Sequence, residues 1–192
     1  MKKLLAILAL TLTSVAFADT VTIEAGGVDI NSGYAKQSAL GMAYKHDFTD
    51  MFAVDASLAT LRTNTLAGQE GVDTTTVRSE IGGDVKYAVL PGIGIYNRLA
   101  LGNQSGSWRG VNSSFGYWAE EAGVTGQYKQ FDAKLGYRWR NAFDDGYGFR
   151  TQTTRTGLGY SVTQADRIGV SYDFIEGDYK ARQWGVNYTR SF

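Results

Sequence analysis

The stretch Tyr179-Lys-Ala-Arg-Gln-Trp-Gly-Val-Asn-Tyr-Thr-Arg-Ser-Phe192 decides the fold. Taken with a period of two, it places Trp184, Val186, Tyr188 and Phe192 on one side, and Gln183, Gly185, Asn187, Thr189 and Ser191 on the other. Successive side chains of a strand point to opposite faces, so this segment is a strand with one apolar face and one small, polar face. A soluble sandwich would turn the polar face to water and the apolar face to a core. A membrane barrel would turn the apolar face to lipid and the polar face to a lumen. An aromatic at position 192 favours the barrel, because soluble domains usually end in a frayed, polar tail.

The same alternation recurs upstream. Leu40, Met42, Tyr44 and Phe48 oppose Gly41, Ala43, Lys45 and Asp47; Val77, Ile81, Val85 and Tyr87 oppose Arg78, Glu80, Asp84 and Lys86; Phe131, Ala133, Leu135, Tyr137 and Trp139 oppose Asp132, Lys134, Gly136, Arg138 and Arg140. Turn signals separate such segments, among them Asn31-Ser32-Gly33, Leu90-Pro91-Gly92, Asp144-Asp145-Gly146 and Glu176-Gly177-Asp178. Longer polar loops are expected over 29–36, 63–73 and 103–114. The pattern predicts an all-β fold, a closed antiparallel up-and-down transmembrane barrel of ten strands. Eight would remain if the first pair or the segment around Gly116 were not strands. Aromatics on the apolar faces gather at the strand ends: Tyr44, Phe48, Phe52, Tyr87, Tyr128, Phe131, Tyr188 and Phe192 near the short turns, and Trp118, Trp139, Phe174 and Trp184 toward the longer loops. Two aromatic girdles around an aliphatic band are what two membrane interfaces select.

Composition agrees. Glycine at 24 and tyrosine at 12 against a single proline suit strands and tight turns. A mean hydropathy of −0.23 excludes a helical membrane protein but not a barrel, in which only alternate residues meet lipid. Residues 1–18 read as a cleaved signal peptide: Lys2 and Lys3, an apolar run from Leu4 to Val15, then Ala16-Phe17-Ala18. Residues 19–192 then form one barrel domain. There is no cysteine, so no disulfide stabilises the exported chain, and a formal net charge of zero argues against nucleic acid as a partner.

The leader, the alternating strands and the terminal Trp184-x-Val186-x-Tyr188-x-x-x-Phe192 together resemble the outer-membrane β-barrel proteins of Gram-negative bacteria. The resemblance implies residence in the bacterial outer membrane, contact with lipopolysaccharide, and a final strand read by the barrel-assembly machinery. Arg190 departs from the family pattern, which has an apolar residue there. The basic pair Tyr137-Arg138-Trp139-Arg140 and Arg155-x-Gly157-x-Gly159-Tyr160 is faintly similar to the small porins for acidic oligosaccharides.

The inner faces carry the functional signal. Arg78, Lys86, Arg98, Lys134, Arg138, Arg140 and Arg155 are expected to line the lumen with Glu80, Asp84 and Glu121, alongside Lys45, Glu24, Asp47, Asp55, Asp132 and Asp173. Matched charges in a narrow interior imply ion pairs. An arginine-rich outer end would also attract anions. Two readings follow: a narrow porin-like channel for ions or small anionic solutes, and a closed barrel with a filled lumen that acts structurally or adhesively through its loops. Lys180 and Arg182, near the outer end of the last strand, are candidates for lipopolysaccharide phosphates. No enzyme is expected. The single histidine, His46, falls on the lipid-facing side, no Cys/His set suggests a metal, and no glycine-rich loop suggests a phosphate cofactor.

Overall fold

The computed structural model describes residues 19–31, 35–66, 74–108, 111–144 and 149–192. The expected leader (1–18) and parts of several expected turns, including Ser32-Gly33, Gly68, Gly71, Arg109 and Asp145-Gly146, lie outside them. The strands are β1 (Asp19–Ile30), β2 (Ala35–Asp47), β3 (Phe52–Leu66), β4 (Thr74–Leu90), β5 (Ile93–Trp108), β6 (Val111–Tyr128), β7 (Phe131–Ala142), β8 (Arg150–Ser161), β9 (Asp166–Gly177) and β10 (Ala181–Ser191). Each pairs antiparallel with its neighbours in sequence, and β1 closes the ring on β10 from Thr20↔Ser191 to Ile30↔Ala181. The ten-strand barrel is therefore complete and leaves no sheet edge among the described strands.

The wall is inverted relative to a soluble protein. Trp184, Val186, Tyr188 and Phe192 point outward and are 41–61% exposed, while Gly185 and Ala181 on the same strand face inward and are buried. Leu40, Ile81, Leu99, Leu135, Leu158 and Val170 form an exposed aliphatic band, bounded toward the short turns by Phe48, Phe52, Tyr87, Tyr128 and Phe131. Buried residues include Glu80, Asp84, Glu121, Arg140 and Asp173. Strands of 11 to 18 residues comfortably exceed the roughly 9–11 that a tilted membrane strand needs.

One end of the barrel carries compact turns. Pro91-Gly92 joins β4 to β5 with two residues: the proline ring presets its own φ, and Gly92 takes φ 75°, which a residue with a Cβ rarely adopts. At the other end the strands run further than their composition predicts. The expected loop over 103–114 is mostly paired strand, with Asn103↔Gly116, Ser105↔Ser114 and Trp108↔Val111 in register. The loops expected over 63–73 and 29–36 are likewise shortened, because β3 runs to Leu66 and β2 begins at Ala35. Gly, Ser, Asn and Thr are common in loops, but a ladder needs only extended backbone and a partner, and the hairpins supply both.

Candidate functional site

Alternation that turns apolar groups outward forces the charged ones into the lumen. Burial there is tolerable only with partners, since an unpaired buried charge costs several kcal/mol. Ten lumen side chains, two tyrosines among them, satisfy one another in two chains. Arg98 on β5 reaches past β4 to Asp55 on β3, donating from Nε at 2.7 Å and Nη2 at 2.6 Å. Its Nη1 donates to Glu80 Oε2 at 3.3 Å. Glu80 Oε1 also accepts from Tyr117 Oη at 2.7 Å and Arg138 Nη2 at 2.5 Å. Glu80 stands on β4 and Arg138 on β7, so that bond is a chord across the bore. In the second chain Glu121, 1% exposed, accepts from Tyr96 Oη (2.8 Å), Arg155 Nη1 (2.9 Å) and Lys134 Nζ (2.8 Å). Arg155 Nε then donates to Asp173 Oδ2 at 3.1 Å. Residues from β3 to β9 thus form one polar belt at mid-height.

Glycines make room for it. A Cβ on Gly82 would lie 2.8 Å from Arg98 Nη2, and one on Gly102 would lie 2.6 Å from Tyr117 Oη. The planar guanidinium and phenol lie flat against bare backbone, which only glycine offers.

Below the belt, toward the compact turns, Lys45 Nζ binds Asp84 Oδ2 at 2.6 Å, and Lys86 pairs with Asp47 at 3.7 Å. Arg167 grips Asp132 with Nε and Nη2 at 2.6 and 2.5 Å. Above the belt the lumen becomes partly apolar. Phe115, Tyr117, Phe149 and Tyr179 cluster there, with Phe115 and Phe149 ring centres 4.7 Å apart. A second group joins Val28, Leu61, Ile175 and Ala181. Arg78 Nε and Nη2 donate to Gln104 Oε1 at 3.1 and 3.0 Å. Arg140 lies 4.7 Å from the Phe149 ring centre and donates from Nε to Thr151 Oγ1 at 3.3 Å. Inside the barrel lie a cavity of about 170 Å³ above the belt and one of about 200 Å³ below it.

The ion pairs gather Arg98, Lys134, Arg138, Arg155, Glu80 and Glu121 at mid-height, so few arginines remain toward the long-hairpin end. Arg138 is committed to Glu80 in the belt, leaving Arg78 and Arg140 above it. Tyr117, Arg167 and Phe149 complete the lumen and went unremarked in the sequence. Tyr117 shares the parity of Glu121, and Arg167 that of Asp173, which is the signal that would have found them. Lys180 is exposed in the β9–β10 connection rather than on the last strand, and Arg182 is exposed on the outer face of β10. His46 sits at the opposite rim, its Nδ1 2.5 Å from Asp19 Oδ1 and its ring edge-on to Phe48. On the outer wall Asn97 donates to Glu120 at 3.1 Å, so the two polar exceptions on that face satisfy each other. Larger concavities of about 710 and 760 Å³ lie on the outer wall over β6–β9, lined by Val124, Ala133, Leu158 and Val170; they are grooves in the aliphatic band rather than part of the lumen.

The sequence matches no protein-family model and no curated protein. The backbone is similar to solved barrels. Neisserial surface protein A (NspA) is 10% identical with a TM-score of 0.50, over 93% of this chain and 98% of that one. The NanC porin is 9% identical with a TM-score of 0.52, over 88% and 98%. The β domain of the Bordetella autotransporter Brka is 11% identical with a TM-score of 0.53, over 93% and 100%. At these identities the likeness concerns the fold, which is that of the bacterial outer-membrane β-barrels.

Proposed function

We propose that this chain resides in the bacterial outer membrane as a closed barrel, its lumen shut by the polar belt, and acts through the end that carries the longer hairpins. The observation that carries this reading is the Arg138–Glu80 chord across the bore, backed by Glu121 buried among three donors. An eight-strand barrel is just filled by side chains and clear aqueous channels appear at about sixteen strands, so ten strands with a belt of this kind are readily plugged. Purified protein in planar bilayers is expected to show no conductance steps. Steady steps from the unmodified protein would overturn the closed reading. They would favour the narrow channel for ions or small anionic solutes, whose support is that cavities above and below the belt each face arginines: Arg78 above, Arg155 and Arg167 below.

In this reading the compact turns and both ends of 19–192 face the periplasm, after a leader cleaved at Ala18. The final strand is the element that the barrel-assembly machinery takes up. Trp184, Val186, Tyr188 and Phe192 form one exposed apolar face, and the Phe192 amide donates to the Asp19 carbonyl at 2.9 Å where the ring closes. Deleting Phe192 is expected to lower the folded barrel recovered from outer membranes several-fold, with unfolded chain accumulating in the periplasm. Unchanged recovery would remove the assembly role.

Lys180 and Arg182 stand exposed at the long-hairpin end, placed to meet lipopolysaccharide phosphates. Replacing both with glutamine is expected to reduce the lipopolysaccharide that copurifies with the barrel in detergent. If the amount bound does not change, the two cations are ordinary solvated charges. The barrel is read as non-enzymatic: its only histidine is joined to Asp19 at the rim and packed on Phe48, away from the lumen.

A further inference from the structure

We infer that the cavity above the belt is a binding site for a small organic anion, one acidic group attached to a compact apolar or aromatic body, with Arg78 as its anchor. Three observations converge on it. The first is charge. Arg98, Arg138, Arg155 and Arg167 each hold a carboxylate. Among the described residues, no carboxylate lies within ion-pair distance of Arg78 or Arg140. Arg78 leans on the neutral Gln104 amide, and Arg140, 5% exposed, has one bond to the Thr151 hydroxyl and the faces of Tyr117 and Phe149. Arg78 lines the same cavity as Phe149, on whose ring Arg140 packs, so the two cations share one end of the lumen. Two positive charges partly removed from water, neither in contact with a carboxylate among the described residues, form a site that an anion would complete.

The second observation is shape. The cavity is about 170 Å³, lies toward the long-hairpin end, and is walled by Arg78, Gln104, Phe149, Ile175, Tyr179 and Gln183. That volume admits a single ring or a short branched chain and excludes an oligosaccharide. The belt beneath makes it a blind pocket, so it does not depend on whether the barrel conducts. The third is the division of its lining. Arg78 and Gln104, on the neighbouring strands β4 and β5, offer polar contacts on one side, and Phe149, Ile175 and Tyr179, around β8 to β10, offer apolar surface on the other, with Gln183 of β10 beside them. Because Nε and Nη2 of Arg78 are already bonded to Gln104, Nη1 is the nitrogen presented to a ligand carboxylate. Arg140, behind the Phe149 ring, adds its field without touching the ligand.

Benzoate is the probe, with benzyl alcohol as its neutral counterpart, and acetate and inorganic phosphate as anions lacking the body. Binding to the refolded, full barrel in detergent would be followed by calorimetric titration. Saturable benzoate binding is expected, with benzyl alcohol, acetate and phosphate each about tenfold weaker or worse. Arg78→Gln should lower benzoate affinity by a similar factor, and Arg78→Lys should restore part of it. Ile175→Trp, which fills the cavity while keeping both arginines, should abolish binding and serves if the Arg78 variants do not fold. The proposal is overturned if the unmodified barrel does not bind benzoate saturably, if benzyl alcohol binds as well, or if phosphate alone matches benzoate. It is also overturned if Ile175→Trp binds unchanged.

Discussion

Replacing Glu121 with alanine is expected to destabilise the barrel by about 3–5 kcal/mol, the range for breaking a buried ion pair from one side. Glu121 is 1% exposed and accepts from Tyr96, Arg155 and Lys134. Its removal leaves the Lys134 ammonium and the Tyr96 hydroxyl without the acceptor they share, and leaves Arg155 with Asp173 alone. The size of the loss also reports on the lumen. In a water-filled bore these contacts would behave like surface pairs, worth about 0–1 kcal/mol. Glu121→Gln, which keeps the shape and some acceptor capacity, should fall between. The double variant Glu121→Ala, Lys134→Ala should lose less than the sum of the singles, because the second change removes a charge the first had orphaned. Urea unfolding in lipid vesicles, read by tryptophan fluorescence, measures all four. A loss below about 1 kcal/mol for Glu121→Ala would mean that the belt is solvated and the lumen open.

The fold was legible because it depends on a period of two, which any strand shows regardless of its partner. Trp184, Val186 and Tyr188 disclosed an outward face, and the charged parity of β4 and β7 disclosed an inward one. Strand ends were harder to place. Asn103 to Ser114 has the composition of a loop, and only the cross-strand pairs Gln104↔Phe115 and Gly106↔Ser113 make it a hairpin. The contents of the lumen were half legible. Parity placed Arg138 and Glu80 inside, but which carboxylate an arginine meets depends on the closure and stagger of the barrel. Here those bring Arg138 of β7 to Glu80 of β4, three strands away around the ring. Tyr117 and Phe149 were missed for a related reason: an aromatic reads as lipid-facing by default, and its parity becomes decisive only once strand boundaries are known.

Removing the Glu80 carboxylate is expected to turn a silent barrel into a small, anion-selective conductor. Glu80 is where three side chains meet: it accepts from Arg98 and Tyr117 and ties Arg138 across the bore. In Glu80→Ala the chord is lost. Arg98 retains Asp55, but Arg138 loses its ion-pair partner among the described residues and would swing toward water above or below the belt. The lumen also loses one negative charge while Arg78, Arg138 and Arg140 remain, so the passage that opens is positively lined and its reversal potential should move in the anion direction. Arg138→Ala cuts the same chord from the other side with the opposite change of charge. It too should conduct, but with selectivity displaced toward cations relative to Glu80→Ala. That difference in sign separates a gate from general loosening of the wall, since loosening would open both variants alike. If both variants remain as silent as the unmodified barrel in planar bilayers, the Arg138–Glu80 chord is not what closes the bore. The aromatic cluster of Phe115, Phe149 and Tyr179 above it would then be the next barrier to remove.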